Sequence, residues 1–373
     1  MKYQSSYWES SVLFKPFDFI ILGAGLTGKQ IALKLVKKHP KARIAIIDRL
    51  PFSYGASTRN AGFSCFGSVS EIIMDLKNTD EKLVFELVKQ RFLGIQKLVD
   101  EFGAENFDFI QTGGFEVFTS EVELNLAIEK LPFINHQLKQ LLNIDAMYQT
   151  KSIADFNFNY MCSALFNPYE GMLNPGKLNH TLSKRIHISG VEPLYGLNIE
   201  QLVKMNDGYM LRAANGMAIK TQQLIVANNA FSSLLFPELD IVPARGQIIL
   251  TKPIFNLPFQ GIFHANKGYI YFRNVGDRVL IGGGRDQFFQ NEQTYEIEST
   301  DEVISYLTNY LKQHILRDID FEIETNWSGI MAMGNEKTPI VKRLNEHLIV
   351  CVRMGGMGVA LGPIVSDEVI KML

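Results

Sequence analysis

The sequence predicts an α/β protein in which a Rossmann-like domain built on a parallel sheet carries an inserted, β-rich (α+β) domain. Two observations carry this prediction. Residues 17–49 read as strand, glycine-rich turn, helix and strand, which is the opening unit of such a sheet. From residue 243 onward the pattern is that of β-strands, and a turn at Asn274–Asp277 indicates a hairpin.

The opening unit has all of its parts in register. Residues 18–22 are a short apolar run, consistent with a buried parallel strand. Gly23, Gly25 and Gly28 follow with the spacing G-x-G-x-x-G, and a helix leads to a second strand over residues 43–47. Such glycines permit a tight turn, a close approach of the backbone to a pyrophosphate, and packing of helix on strand.

An acidic residue completes the unit. Asp48 lies twenty residues beyond Gly28, at the end of the second strand, where a carboxylate can accept hydrogen bonds from ribose hydroxyls. Phosphates would lie at the N-terminus of the helix, where unpaired N–H groups favour negative charge. The unit therefore predicts a bound dinucleotide.

Composition limits the remaining classes of function. The chain has 373 residues, enough for two domains, and 37 Lys and Arg against 39 Asp and Glu give a net charge of −2. This balance argues against a large nucleic-acid interface but leaves a local basic patch open. Neither a run that could span a bilayer nor a signal peptide is found, so we expect a cytoplasmic protein without a membrane partner.

The cysteines and histidines indicate no metal. Cys65, Cys162 and Cys351 are too widely spaced for a zinc site or a disulfide framework, and a reducing compartment is the simplest setting. The seven histidines show no metal-ligand spacing either.

Two further segments bear on which nucleotide is bound. An NAD-type domain usually continues with another helix and strand, but here the chain enters "YGASTRNAGFSCFGS", residues 54–68, whose small residues suit close contact with a flat ligand. Residues 352–373, "VRMGGMGVALGPIVSDEVIKML", place a glycine-rich loop before a final helix, whose N-terminus would stabilise negative charge on a reduced flavin.

With these segments the chain resembles the FAD-dependent oxidoreductases of the D-amino-acid oxidase superfamily, especially the glycine oxidase and sarcosine oxidase branch. The resemblance runs over nearly the whole chain. Besides its two ends, it includes "TGGFEVF" (112–118), "EGMLNPGKL" (170–178), "VPARGQIILTKP" (242–253) and "WSGIMAMGNEKTPIV" (327–341). It implies FAD as the cofactor and a Rossmann-like FAD-binding domain with an inserted substrate domain.

The resemblance also implies which residues contact FAD. The glycine turn would surround the pyrophosphate, Asp48 would bind the adenosine ribose, residues 57–62 would line the diphosphate and the isoalloxazine, and residues 355–358 would lie along the pyrimidine edge. Ile199 matches a position whose backbone contacts adenine. The predicted cofactor-binding residues are Gly23, Gly25, Leu26, Thr27, Gly28, Asp48, Arg49, Ser57, Arg59, Asn60, Ala61, Gly62, Ile199, Gly355, Gly356, Met357 and Gly358.

We predict a discontinuous FAD-binding domain formed by residues 1–85, 150–235 and 325–373. The substrate-binding domain would comprise residues 86–149 and 236–324, inserted in two pieces.

Oxidation of an amine by a flavin requires the protein to hold the reacting carbon, keep the amine unprotonated and anchor any carboxylate. The planar fork of an arginine suits the last task. The candidate substrate-site residues are Arg353, Tyr271, Arg273, Arg285 and Arg245.

These candidates are not equivalent. Arg353, after a short apolar strand and before the glycine-rich loop, is the leading candidate to anchor the substrate carboxylate or to support the reduced flavin. The alternative for Arg353 is a structural salt bridge. Tyr269, Tyr271 and Arg273 alternate along one strand and would either line a pocket or form the outward face of a hairpin. Arg245, in "PARGQ", matches an arginine of the family that is more often structural.

Three positions depart from the relatives. Gly329 stands near the position where sarcosine oxidases attach the flavin to a cysteine, so FAD is expected to be non-covalent. Leu280 stands near the position of their oxygen-activating lysine, which leaves oxygen or another electron acceptor open. Gly356 stands near the carboxylate-binding arginine of glycine oxidase, so the substrate cannot be copied from either relative.

The leading functional hypothesis is oxidation of the C–N bond of a small amino or N-alkylamino acid, by hydride transfer to FAD and formation of an imine. One alternative is an oxidase of the type that modifies the tRNA wobble position, although the near-neutral charge disfavours nucleic acid. The other alternative is a non-catalytic flavin-binding protein.

Overall fold

The computed structural model describes residues 3–13 and 15–373, with only the backbone of Leu13. The chain divides into two compact units. The first comprises Met1–Thr58, Pro175–Ala244 and Ile330–Leu373, and the second comprises Arg59–Asn174 and Arg245–Gly329.

The α-helices are, in chain order, α1 (Leu26–Lys38), α2 (Ala56–Arg59), α3 (Val69–Asp75), α4 (Glu81–Phe102), α5 (Glu121–Leu142), α6 (Pro175–Ile188), α7 (Asp301–Tyr310) and α8 (Gly358–Met372). The strands are β1 (Phe17–Leu22), β2 (Ile44–Asp48), β3 (Phe63–Ser64), β4 (Gly114–Glu116), β5 (Gln149–Ser152), β6 (Ser163–Asn167), β7 (Gly171–Met172), β8 (Glu192–Tyr195), β9 (Ile199–Met205), β10 (Gly208–Ala213), β11 (Ala218–Val226), β12 (Val242–Thr251), β13 (Ile262–Ala265), β14 (Ile270–Val275), β15 (Arg278–Gly283), β16 (Ile323–Met333), β17 (Ile340–Asn345) and β18 (Leu348–Val352).

The first unit contains a sheet with the strand order β17-β18-β11-β1-β2-β8, and β10 and β9 extend it from β11. Strand β1 pairs in parallel with β2 and β11, and its apolar residues are buried because helices cover the sheet. Helix α1 packs against α6 and α8. The predicted strand, turn, helix and strand are confirmed within one residue at each boundary.

The second unit contains a sheet with the strand order β16-β12-β15-β14-β13-β4-β6-β5. The predicted hairpin is formed by β14 and β15, which pair antiparallel from Ile270–Gly283 to Val275–Arg278. One face of this sheet packs on a core rich in aromatic rings, where Phe263 stacks on Phe272 with ring centroids 4.7 Å apart. The α/β class with a β-rich second domain is as predicted.

The two compact units divide the chain at different residues from the predicted domains. Residues 59–85, 150–174 and 325–329, which we predict to belong to the FAD-binding domain, lie in the second unit, and residues 236–244, which we predict to belong to the substrate-binding domain, lie in the first. Within the second unit, β7 pairs with β3 and β6 pairs with β4.

Close packing fixes the start of α1. An atom at the Cβ position of Gly28 would lie 1.9 Å from the carbonyl oxygen of Gly23, a backbone atom that cannot move without changing the turn. Gly55 is a useful contrast, because no atom lies within 4 Å of its Cβ position.

We therefore predict that Gly28→Ala destabilises the protein by about 1–3 kcal/mol, the usual cost of overpacking, whereas Gly55→Ala stays within about 0.5 kcal/mol of the native protein. Chemical unfolding followed by circular dichroism measures both. Equal stability of the two variants would contradict the packing described for the turn.

Candidate functional site

The turn between β1 and α1 is shaped for close approach. Gly23 has a φ of +113°, and an atom at its Cβ position would lie 2.6 Å from the carbonyl oxygen of Ala227. The N–H of Leu26 donates to Ser57 Oγ at 2.9 Å, and a Cβ on Gly25 would lie 2.8 Å from that oxygen. Because Gly25 caps α1 without a side chain, the other N–H groups of the first helical turn can face an anion.

Asp48 lies beside this turn, as predicted. Its Oδ2 accepts the N–H of Ala24 at 3.0 Å and its Oδ1 accepts the N–H of Leu50 at 3.2 Å. Burial raises the pKa of the carboxyl group, although these two hydrogen bonds oppose the rise. Each oxygen retains a lone pair, so the side chain can also accept hydrogen bonds from ribose hydroxyls.

The predicted adenine position lies near the same strand end. The N–H of Leu197 donates to the carbonyl oxygen of Asp48 at 3.0 Å, and that of Gly196 donates to Leu50 at 3.1 Å. Ile199 begins β9 two residues later and is buried. The structure thus brings Ile199, Asp48 and the glycine turn together in the first unit.

Arg49 has an aromatic neighbour. Its guanidinium carbon lies 3.6 Å from the centroid of the Phe231 ring, in a cation–π contact. Burial lowers the pKa of Arg49. A role for Arg49 in binding the cofactor remains a prediction.

Asn228 was missed from the sequence, since an asparagine after a strand carries no distinctive pattern. Its backbone nitrogen lies 2.8 Å from the Cβ position of Gly23, and its buried Oδ1 has no hydrogen-bond partner among the described residues. Buried polar atoms are nearly always bonded, so this oxygen suits a donor from a bound molecule. The glycine turn, Asp48 and Asn228 fit the pyrophosphate and ribose of a dinucleotide.

The glycine-rich loop before α8 adopts the conformation that its residues favour. Gly355 and Gly356 have φ values of +55° and +80°. Helix α8 begins at Gly358, and Met357 at its N-cap makes no side-chain cap. The helix start therefore remains able to stabilise negative charge, as its predicted position along the flavin requires.

Arg353 is a correction, because its guanidinium is engaged by the protein. Nη1 donates to Asp240 Oδ2 at 2.5 Å, and Nε and Nη2 both donate to the carbonyl oxygen of Thr338, at 3.1 and 3.0 Å. Glu336 lies 3.4 Å away. The side chain forms an internal ion pair, the alternative to a substrate anchor, so we remove Arg353 from the substrate-binding candidates.

In the second unit, hydrogen bonds hold residues 59–62, which we predict to line the isoalloxazine. Trp327 Nε1 donates to the carbonyl oxygen of Arg59 at 3.0 Å, and Arg59 Nη1 donates to that of Ser328 at 2.5 Å. The N–H of Gly62 donates to Asn60 Oδ1 at 2.9 Å. Contact of residues 59–62 with the flavin remains a prediction.

Tyr271 and Arg273 share one face of the second sheet, the face opposite the aromatic core, because they lie two residues apart on β14. We call this the Arg273 face. Arg273 is paired with Leu280 of β15, which packs with Ala61 and Ile248 in a small buried cluster. The partly buried residues packed on that cluster are Phe63, Leu250, Tyr271, Val275 and Trp327.

The guanidinium of Arg273 is buried without a compensating charge. The residue is 7% exposed, and the guanidinium makes one hydrogen bond within the described residues, from Nη2 to the carbonyl oxygen of Leu173 at 3.1 Å. Within the described part of the chain its Nε has no partner and no carboxylate forms an ion pair with it. Burial lowers the pKa of Arg273 to about 10, so it is still charged at neutral pH.

The other candidates lie apart from this face. Arg245 forms a bidentate pair with Glu292, at 3.0 and 2.6 Å, so its role is structural. Arg285 lies over the Phe289 ring, with its guanidinium carbon 4.8 Å from the centroid. Tyr269 precedes β14 and packs edge-on against Phe289, which corrects the prediction that it shares a strand face with Tyr271.

A buried acid–base pair lies on the Arg273 face. His264 is paired with Tyr271 across β13 and β14, and its Nε2 lies 3.2 Å from Glu170 Oε2. Phe63 contacts both rings, with centroids 5.4 Å from His264 and 5.6 Å from Tyr271. The sequence indicates that His264 lies in a strand. It does not reveal Glu170 as the partner, because the two residues are 94 positions apart.

Two absences hold for the part of the chain that the structure describes. There, no group of three or more His, Cys, Asp and Glu side chains is placed to hold a metal ion. Nor does any described helix combine the length and apolar character required to cross a membrane.

Comparison with known proteins gives consistent matches. Residues 18–372 match the family DAO, FAD dependent oxidoreductase. The tRNA 5-methylaminomethyl-2-thiouridine biosynthesis bifunctional protein MnmC of Shewanella amazonensis is 24% identical over 241 residues, which are 63% of this chain and 33% of that protein. This chain thus matches about a third of the length of that first curated relative.

An L-2-hydroxyglutarate dehydrogenase of Escherichia coli is 21% identical over 322 residues, 79% of this chain and 72% of the relative. Among solved structures, glycine oxidase from Geobacillus kaustophilus has the same fold, with a TM-score of 0.77 and 18% identity over 95% of this chain and 94% of that one.

The family match covers almost the entire chain and agrees with the glycine turn, Asp48 and the unpartnered Asn228 oxygen. An enzyme family also replaces the hypothesis of a non-catalytic flavin-binding protein. This chain belongs to the DAO family of FAD-dependent oxidoreductases, and its cofactor is FAD.

Proposed function

We propose that this enzyme oxidises the C–N bond of a small amino or N-alkylamino acid whose carboxylate is anchored by Arg273. The observation that carries the proposal is a buried guanidinium that no carboxylate of the described residues pairs with. An unpaired buried charge is costly, and a substrate carboxylate would compensate it with charge-assisted hydrogen bonds to Nε and the terminal nitrogens.

Tyr271 supplies a second donor on the same face. Its hydroxyl makes no hydrogen bond within the described residues, and burial raises its pKa to about 12, so the group stays protonated. Its ring lies over Gly282, whose Cβ position is 2.5 Å from a ring atom. The ring therefore packs against the backbone of Gly282 on the Arg273 face.

The apolar part of the face would exclude water from the reacting carbon. Leu280, Ile248 and Ala61 are buried, and Phe63 and Trp327 cover them in part. The chemistry that FAD supplies when bound is acceptance of a hydride from the α-carbon, which leaves an imine that water hydrolyses. The side chains bind the carboxylate and orient the α-carbon.

Two other substrates have specific support. The match to L-2-hydroxyglutarate dehydrogenase favours a 2-hydroxy acid, which Arg273 would anchor in the same way. The match to MnmC favours a modified tRNA, but the net charge of −2 provides no general attraction for nucleic acid.

Anaerobic mixing of the FAD-loaded protein with glycine, sarcosine, L-proline and L-2-hydroxyglutarate, followed by flavin absorbance, separates these substrates. We expect one of the amino acids to bleach the flavin. Bleaching by the hydroxy acid alone would establish the second candidate, and tRNA binding at physiological salt without any bleaching would establish the third. Reoxidation in air against a dye acceptor then identifies oxidase or dehydrogenase.

We predict that Arg273→Met weakens binding of the active carboxylate substrate by about 2–5 kcal/mol, the usual cost of removing one partner of a buried charge pair. The matching amine without a carboxylate should be little affected. Arg273→Lys should recover only part of the loss, since the planar fork is absent. KM values for both compounds provide the measurement.

Arg353→Met is the matched control for Arg273→Met. It breaks the ion pair with Asp240, so it should lower the melting temperature without separating the two compounds. If Arg353→Met produced the KM difference and Arg273→Met did not, the carboxylate anchor would be assigned to the wrong arginine.

For the binding of the FAD ribose, we predict that Asp48→Ala weakens FAD binding by about 1.5–3 kcal/mol, because hydrogen bonds to a charged acceptor are lost. Asp48→Asn keeps an acceptor for the N–H of Ala24, so its affinity for FAD should lie between those of the native protein and Asp48→Ala. Fluorescence titration of the apoprotein with FAD measures the affinities. Native affinity in Asp48→Ala would show that the ribose binds elsewhere.

We also infer that FAD is held without a covalent bond, since Gly329 provides no nucleophile. Acid precipitation should leave a colourless pellet and a yellow supernatant. Flavin that stays with the denatured chain would refute this inference.

A further inference from the structure

The pair formed by His264 and Glu170 is buried next to the proposed substrate anchor. Their side chains are 11% and 3% exposed. His264 is directly opposite Tyr271 on the neighbouring strand, and directly opposite residues on one face have Cβ atoms about 5 Å apart. His264 therefore lies on the Arg273 face, beside Tyr271 and one strand away from Arg273.

The hydrogen bonds fix which ring nitrogen is available. Nε2 of His264 faces Glu170 Oε2 at 3.2 Å, while Glu170 Oε1 accepts the N–H of Phe66 at 3.1 Å and is thereby held in place. A carboxylate accepts hydrogen bonds, so neutral His264 carries its proton on Nε2. Nδ1, which has no partner among the described residues, then offers a lone pair.

We propose that His264 accepts, through Nδ1, the proton that the substrate nitrogen must lose before its carbon is oxidised. This proposal rests on the proposed function, because it takes the Arg273 face as the substrate surface. The proton passes from the ammonium group to Nδ1, the nitrogen keeps the electron pair of the broken N–H bond, and His264 becomes an imidazolium. Glu170 acts as a positioning residue that orients the ring and stabilises this charge.

The same acceptor serves a 2-hydroxy acid, since the proton of its hydroxyl group must also leave. His264 therefore belongs to the site for either class of substrate. An acceptor inside the protein removes the need for the substrate to arrive already deprotonated, which matters near neutral pH, where most amino groups are protonated.

The charges around His264 determine the direction of its pH dependence. Burial alone would lower its pKa, but the hydrogen bond to Glu170 and the charges of Glu170, Glu116 and Glu71 outweigh burial and raise it. Glu116 lies directly opposite His264 on β4 and is bonded to Ser70. The titratable groups Arg91, Tyr148 and Cys65 also lie near these carboxylates, and Tyr271 lies opposite His264 itself.

Since only neutral His264 can accept a proton, flavin reduction should accelerate as pH rises through this raised pKa. We measure the limiting rate of reduction at saturating substrate, using the panel compound that bleaches the FAD-loaded enzyme fastest. His264→Gln should lower this rate at pH 7 at least tenfold. In a plot of the rate against pH, the acidic limb, where the rate falls as pH falls, should move toward the pKa of the substrate amino or hydroxyl group itself. Glu170→Gln should move the limb to lower pH.

The exposed residue His180, on α6 in the other unit, provides a matched control. His180→Gln should leave both the rate and the limb unchanged. Arg273→Met should raise KM yet keep the limb, so failure of the anchor and failure of the proton acceptor are distinguishable. An unchanged limb in His264→Gln would overturn the proposal.

A readout without turnover keeps the proposal testable if His264→Gln folds poorly or no panel compound reacts. Nitrogen-15 spectra of the FAD-loaded protein with labelled histidine report the tautomer and pKa of each ring. We expect His264 to be protonated on Nε2 when neutral, to titrate above 6.5, and to titrate lower in Glu170→Gln. A proton on Nδ1, or a ring that does not titrate, would overturn the proposal.

Discussion

The alternation of side chains along β14 is the constraint on which the proposed site depends. Phe272 stacks on Phe263 in the aromatic core, so its neighbours Tyr271 and Arg273 must point to the opposite face. A slip of one residue would bury Arg273 among phenylalanine rings and expose the core, so the hydrophobic core specifies the register strongly. The same pairing places His264 beside Tyr271 and Leu280 beside Arg273.

Charge compensation distinguishes Arg273 from two other buried arginines, Arg245 and Arg353. Arg245 and Arg353 are as deeply buried as Arg273, but Glu292 and Asp240 neutralise them. Such pairs are structural, because removing either partner leaves an uncompensated charge. Among the described residues, the guanidinium of Arg273 is bonded only to a carbonyl oxygen, that of Leu173. This uncompensated charge is the one that we propose a substrate carboxylate neutralises.

Local patterns made the residues that hold the FAD pyrophosphate and ribose predictable from the sequence. The turn at Gly23–Gly28 and the acid at Asp48 are encoded within thirty residues, and the structure places them together. The arginines were harder to rank, because their partners are remote. Arg353 and Asp240 are 113 positions apart, and Glu170 and His264 are 94 apart. The prediction that Tyr269 shares a strand face with Tyr271 was wrong for a different reason. Tyr269 lies just before β14, so the alternation of side chains along the strand does not apply to it.

The proposed site requires that the Arg273 face receive a substrate carboxylate. A crystal structure of the FAD-loaded protein soaked with glycolate, a small carboxylate without an amine, would show where such a group binds. We expect the carboxylate within hydrogen-bonding distance of Nε or a terminal nitrogen of Arg273, with the Tyr271 hydroxyl as a second donor. A carboxylate bound to another arginine, or an Arg273 guanidinium paired with a carboxylate of the protein, would rule out this substrate anchor.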